Sequence, residues 1–193
     1  MAEGATGAVA PNSISPDGKF LVYAMFANSA RTRLWIHALG PEKPDMKDYP
    51  LLRTNFQEDD AQFSPDGHWL AYTSEETDKE EIDVVPFPGL SSKLQISTAG
   101  GSQPRWPREG KEIYYIAPDG KMMAVAVELS GDPFKADSPK ALFQTRSVAV
   151  THTIHQYDVT ADGQKFLMNL DTPTKGQRSI TLVSNWTALL PAR

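Results

Sequence analysis

The sequence predicts an all-β chain folded as a β-propeller of four blades, and three observations in its 193 residues predict it. A single short device recurs four times. Its glycines stand 49, 43 and 53 residues apart, a period that marks an architecture made from one supersecondary unit per copy. No stretch carries sustained helical periodicity, whereas short runs of period two recur along the chain.

The device is an apolar residue, a tight turn closed by an acidic residue and glycine, and then a strand. Its copies read Ile14-Ser15-Pro16-Asp17-Gly18, Phe63-Ser64-Pro65-Asp66-Gly67, Trp106-Pro107-Arg108-Glu109-Gly110 and Val159-Thr160-Ala161-Asp162-Gly163. Pro16 and Pro65 have φ preset for the first corner, the aspartates can accept a local backbone N–H, and glycine tolerates positive φ. The third and fifth residues after each glycine are apolar: Leu21 and Tyr23, Leu70 and Tyr72, Ile113 and Tyr115, Phe166 and Met168. A spacing of two puts each pair on one face of a strand.

Further strand-like runs follow each hairpin. They are Arg33–Ala38 and Leu51–Thr54, Ile82–Val85 and Leu94–Ser97, Met122–Val127 and Ala141–Phe143, and finally Ile180–Val183. Joints rich in Pro, Gly and Asp separate them, among them Pro86-Phe87-Pro88-Gly89. The division expected is a leader 1–7, blades at about 8–55, 56–98, 99–145 and 146–188, and a tail 189–193. Each blade has mostly four antiparallel strands, the last being one short. A jelly roll or immunoglobulin-type sandwich also has many short strands, but neither repeats one turn with the same flanking residues. Because open blade edges are adhesive, a partial ring or a ring completed by self-association is expected over an isolated closed monomer.

Formal net charge is −5 and there is no basic block, which argues against a nucleic-acid partner. With no cysteine there is no disulfide framework and no thiol chemistry. No run reaches transmembrane length, so this segment is not expected to insert in a membrane, and residues 1–7 do not read as a signal peptide.

Phe63-Ser64-Pro65-Asp66-Gly67-His68-Trp69-Leu70-Ala71-Tyr72, and its weaker partner Ile14 to Tyr23, resemble the repeat of TolB-type propellers, the bacterial WD-repeat-like group. Tyr157 to Leu167 and Ile180 to Trp186 are similar to the closing blade of propellers carried at the C-terminus of bacterial serine/threonine kinase-like receptors. The third copy departs from the repeat, with Pro107-Arg108-Glu109 in place of Ser-Pro-Asp. The resemblance implies a scaffold that binds proteins or peptides outside the bacterial cytoplasm, in the periplasm or at the cell surface. It carries over no catalytic residue, because the repeated motif (Asp17, Gly18, Asp66, Gly67, Glu109, Gly110, Asp162, Gly163) is structural.

The chain offers little chemistry of its own. No EF-hand pattern surrounds the acidic turns, and His152 and His155 have no marked third ligand. There is no Gly-x-Ser-x-Gly elbow, kinase signature or phosphate-cradling loop. No cofactor or metal is therefore expected. The acidic groups Glu58-Asp59-Asp60, Glu75-Glu76 and Glu80-Glu81 read as solvated loops, and Trp69 and Trp106 as packing between blades. In a propeller, the loops entering each innermost strand gather around the channel. Binding is therefore assigned to Glu58, Asp59, Asp60, Gln103, Arg105, His152 and His155. The function expected is a non-catalytic scaffold for a protein or peptide, with a self-assembling half-propeller and a lid or fragment of a hydrolase or peptidase as alternatives.

Overall fold

The four predicted turns close four hairpins by nearly the same network of hydrogen bonds. In the first, Gly18 N donates to Ser15 O at 2.8 Å, and Asp17 Oδ1 accepts from Ser15 Oγ at 2.6 Å and from Lys19 N at 3.1 Å. Ser64–Asp66–His68 and Thr160–Asp162–Gln164 repeat it. In the third copy Pro107 has no hydroxyl, and the glycine contact to Pro107 O (3.0 Å) remains. All four glycines have φ between 68° and 76°, the left-handed region in which glycine carries no steric penalty. A fifth turn of the same chemistry, Ala117-Pro118-Asp119-Gly120, closes the second hairpin of the third sheet. The sequence reading did not single it out.

The computed structural model describes residues 8–26, 31–40, 48–89, 92–130, 134–145 and 155–170, and the backbone of 180–184. They form four antiparallel sheets in chain order. The first holds β1 (Val9–Ile14), β2 (Phe20–Phe26), β3 (Thr32–Ala38) and β4 (Tyr49–Pro50). The second holds β5 (Glu58–Phe63), β6 (Trp69–Ser74), β7 (Glu81–Pro86) and β8 (Leu94–Gln95). The third has β9 (Ser102–Arg105), β10 (Glu112–Ile116) and β11 (Lys121–Glu128), with its outer edge shared by β12 (Lys135–Ala136) and β13 (Lys140–Gln144). The fourth is the three-stranded meander β14 (Tyr157–Val159), β15 (Lys165–Asn169) and β16 (Ile180–Ser184). The expected leader 1–7, tail 189–193 and His152 lie outside the described residues.

Two outer strands differ from expectation. Leu51–Thr54 is not a strand; the outer strand is Tyr49–Pro50, and Leu51, whose N donates to Leu34 O at 2.8 Å, is buried in the core. The third blade's outer strand is split in two, because β12 and β13 pair with opposite ends of the long β11.

Alternation along the second strand of each sheet sets which neighbour each side chain meets. Val22 and Ala24 of β2 pack with Leu70 and Tyr72 of β6. Trp69 and Ala71, on the other face of β6, pack with Ile113 and Tyr115 of β10. Tyr114 and Ile116 then pack with Phe166 and Met168 of β15. The third and fifth residues after each glycine thus face the preceding blade. Each large side chain so buried contributes about 1.5–3 kcal/mol. Phe87, in a joint read only as a connection, and Phe134, outside every predicted strand, are core residues. Phe87 meets Phe20 and Phe63 edge-on at 5.2 and 5.0 Å, and Phe134 lies 4.8 Å from Trp69.

The two ends of the row are different. Leu21 and Tyr23 occupy the positions that face a preceding blade, and on that side of the first sheet Val9 and Ile14 are 60% and 58% exposed. On β15, Leu167 takes the place held by Val22, Ala71 and Tyr114, yet it is 46% exposed. The described residues form a partial ring.

Candidate functional site

Aligning the four inner strands on their apolar residue (Ile14, Phe63, Trp106, Val159) puts Ser13, Gln62, Arg105 and Asp158 at one equivalent position. At the first two junctions this position performs the same task. Ser13 Oγ accepts from Phe63 N at 3.3 Å, and Gln62 Oε1 accepts from Trp106 N at 2.7 Å. Each side chain ties its blade to the backbone of the next. Arginine has no acceptor, so Arg105 cannot continue the series. The third junction is made two residues earlier, by Gln103: its Oε1 accepts from Gln156 N at 2.7 Å, and its carbonyl accepts from Tyr157 Oη at 2.9 Å.

The same inner strands bend at a common point. Register shifts fall between Pro11 and Ser13, between Asp59 and Gln62, and in the β9–β10 pairing. Asp60 and Gln103, equivalent in the alignment, both have positive φ, 56° and 58°. Such a backbone costs about 1–3 kcal/mol for a non-glycine residue and persists only where its surroundings hold it. Asp59 helps to hold it, its Oδ1 accepting from Asp60 N at 2.8 Å.

Of the seven predicted site residues, six are described. Glu58, Asp59 and Asp60 lie on β5, and Gln103 and Arg105 on β9. All five are buried, which corrects the expectation of solvated loops for the Glu58–Asp60 group. Glu81 is buried as well; its carboxylate takes Ser97 Oγ, Gly100 N (3.1 Å) and the Lys79 ammonium (2.8 Å). The physical reason is that a middle blade is covered on both faces, so its inner strand has no solvent side.

The structure brings Asp60, Arg105 and His155 together. His155 Nδ1 stands 3.4 Å from Asp60 Oδ1 without a hydrogen bond between them. Burial and the neighbouring Asp59 charge push the Asp60 carboxyl up to about 8, against the pull of Arg105. Burial and the Arg105 charge push the His155 imidazole down to about 4. Near neutral pH the imidazole is uncharged and Asp60 is largely protonated. Glu58 is also raised, by burial, although Thr54 Oγ1 bonds its carboxylate. Among the described residues no group of three or more His, Asp or Glu is arranged to hold a metal ion.

A cavity of about 720 Å³ opens where the inner strands converge. Asn12 of β1, Gln62 of β5, Arg105 of β9 and Tyr157 of β14 all border it. One cavity edged by the first strand of every sheet is the channel of a propeller, here open on one side. No family model matches the chain, and no curated protein sequence does. Solved structures do. TolB of Acinetobacter baumannii superposes with a TM-score of 0.64 at 16% identity, over 94% of this chain and 41% of that one. The chain has a TolB-like β-propeller fold. A puromycin-hydrolysing peptidase of Mycobacterium tuberculosis matches this TolB-like propeller at TM-score 0.58 and 19% identity, over 80% of this chain and 25% of that one. The Cps50 (Swd1) β-propeller domain of Myceliophthora thermophila matches at 0.54 and 10%, over 91% and 70%. The TolB-like propeller spans half or less of the solved TolB chains it matches.

Proposed function

We propose that this TolB-like propeller is a non-catalytic scaffold that binds a protein or peptide at the channel. The supporting observation is the cavity itself, bordered by all four sheets and lined in part by side chains that tie strand to strand. Its volume falls within the range of about 300–1,000 Å³ usual for ligand sites. The proposal extends to the division into blades at about 8–55, 56–98, 99–145 and 146–188, and to a place outside the bacterial cytoplasm. Saturable binding of labelled random heptapeptides to the 193-residue chain, measured by fluorescence polarisation, is the expected result. Sustained turnover in a hydrolase, esterase and lyase screen, with and without divalent metal, would overturn the non-catalytic reading.

The exposed side of the first sheet favours a second reading, in which another copy completes the ring. Val9 and Ile14 lie on the face that in every other blade packs against a predecessor, and Leu167 is the matching exposure at the far end. Light scattering at about twice the chain mass supports this reading; a concentration-independent monomer refutes it.

A further inference from the structure

The residue that breaks the repeat is also a buried cation with few partners among the described residues. Arg105 is 7% exposed, and its only hydrogen bond among the described residues runs from Nη1 to the carbonyl of its own neighbour, Pro104, at 3.1 Å. No carboxylate forms an ion pair with it among those residues. A guanidinium carries five donors in a rigid fork, and burying that charge without an anionic partner is costly. At the equivalent position Ser13 and Gln62 fasten the next blade; Arg105 gives up that contact and lines the cavity instead. Asp158, on the cavity's far wall, turns its Oδ1 to Val159 N at 2.9 Å.

A second unmet group stands across the same cavity. Asn12 Oδ1 is buried with no hydrogen-bond partner. A buried acceptor left without a donor costs about 1–3 kcal/mol, and the site offers one group that wants an anion and another that wants an N–H. Leu167 and Met168 add an apolar edge. These three features around one opening match the groups of a peptide end: a carboxylate, the amide N–H beside it and an apolar side chain.

We propose that the channel cavity binds a peptide carboxylate through the Arg105 guanidinium, with Asn12 Oδ1 accepting from a peptide N–H. This rests on the peptide-binding reading and names the group that it recognises. A planar carboxylate matches the guanidinium fork with two parallel hydrogen bonds, which an ammonium cannot reproduce.

Four fluorescein-labelled random heptapeptide pools test it by polarisation against the full chain: free-acid or amidated C-termini, each with or without Asp and Glu. Preference for the free-acid pools identifies the terminal carboxylate, and preference for the acidic pools identifies a side chain; either supports the proposal. Arg105→Gln is expected to weaken the preferred pool at least tenfold, with Arg105→Lys weakening it less. Asn12→Asp, at a half-buried position and independent of the Arg105 packing, is expected to weaken the same pool severalfold by placing a negative charge on the wall. Equal binding of all four pools would overturn the carboxylate proposal and leave the peptide scaffold standing. Binding of none would overturn both.

Discussion

The second and fourth blades share a turn, a hairpin register and apolar third and fifth residues after the glycine, yet they are packed differently. β6 is buried along its whole length, Trp69 to Ser74, because the first sheet covers one face and the third covers the other. β15 alternates, with Phe166 and Met168 covered by the third sheet and Lys165, Leu167 and Asn169 exposed. Place in the row, and not the turn motif, decides how much a residue contributes. At one position the side chain, and not its place, sets the chemistry: Asp60 and its fourth-blade equivalent Gln156 are both buried, but one is a carboxyl and the other an amide whose oxygen accepts from Asn169 Nδ2 at 3.1 Å.

The largest effect separates two leucines. Leu70→Ala, at a fully buried position between the first two sheets, is expected to cost about 2–5 kcal/mol. Leu167→Ala is expected to stay within about 0.5 kcal/mol. Urea unfolding of both variants checks this, and similar losses would break the comparison. If a second copy covers the fourth blade, the Leu167 variant loses stability only at concentrations where the chain self-associates.

Two glycines sharpen the same contrast at the turns. Gly18 and Gly163 have φ of +71° and +70°, so alanine at either is strained by about 1–2 kcal/mol. A Cβ at Gly18 meets nothing within 4 Å, whereas one at Gly163 falls 2.6 Å from Tyr114 Oη. Thermal unfolding should therefore show the larger loss for Gly163→Ala. Equal losses would mean that the fourth blade does not rest on the third as described.

A pH dependence centred on the second blade tests the same contrast. In the unfolded chain Asp60 loses its proton near 3.8, but in the native state it holds it to about 8. The native state then binds more protons between these values, so this contribution to stability falls as pH rises from about 4 to 8. His155 acts oppositely and lower: its native value near 4 lies below the unfolded 6.5, so its contribution is lost as pH falls through that window. Between about pH 6.5 and 8 the His155 contribution no longer changes and the Asp60 decline continues. Asp60→Asn should flatten the melting temperature over that range, whereas Gln156→Glu, which puts a second carboxyl at a buried position, should steepen it. An Asp60→Asn variant that kept the full decline would show that another group titrates.

The site was legible only in part. Glu58, Asp60, Gln103, Arg105 and His155 were picked out because propeller topology gathers the loops entering the inner strands around the channel; Arg105 and His155 border the cavity, and Asp60 Oδ1 stands 3.4 Å from His155 Nδ1. Their burial was not legible, since Glu58-Asp59-Asp60 carries the composition of a solvated loop. Asn12, which borders the cavity, was not among the residues picked out.

By itself the sequence determined what is local: four Gly-closed turns, the alternating strands after them and the meander of each blade. Turn dihedrals, side-chain caps and period-two hydrophobicity act over a few residues and need no neighbour. Tertiary packing alone decided which faces are buried, that Phe87 and Phe134 belong to the core, and that Asp60 is kept protonated. Those properties depend on the sheet lying against each strand, which stands some 40–50 residues away in the chain.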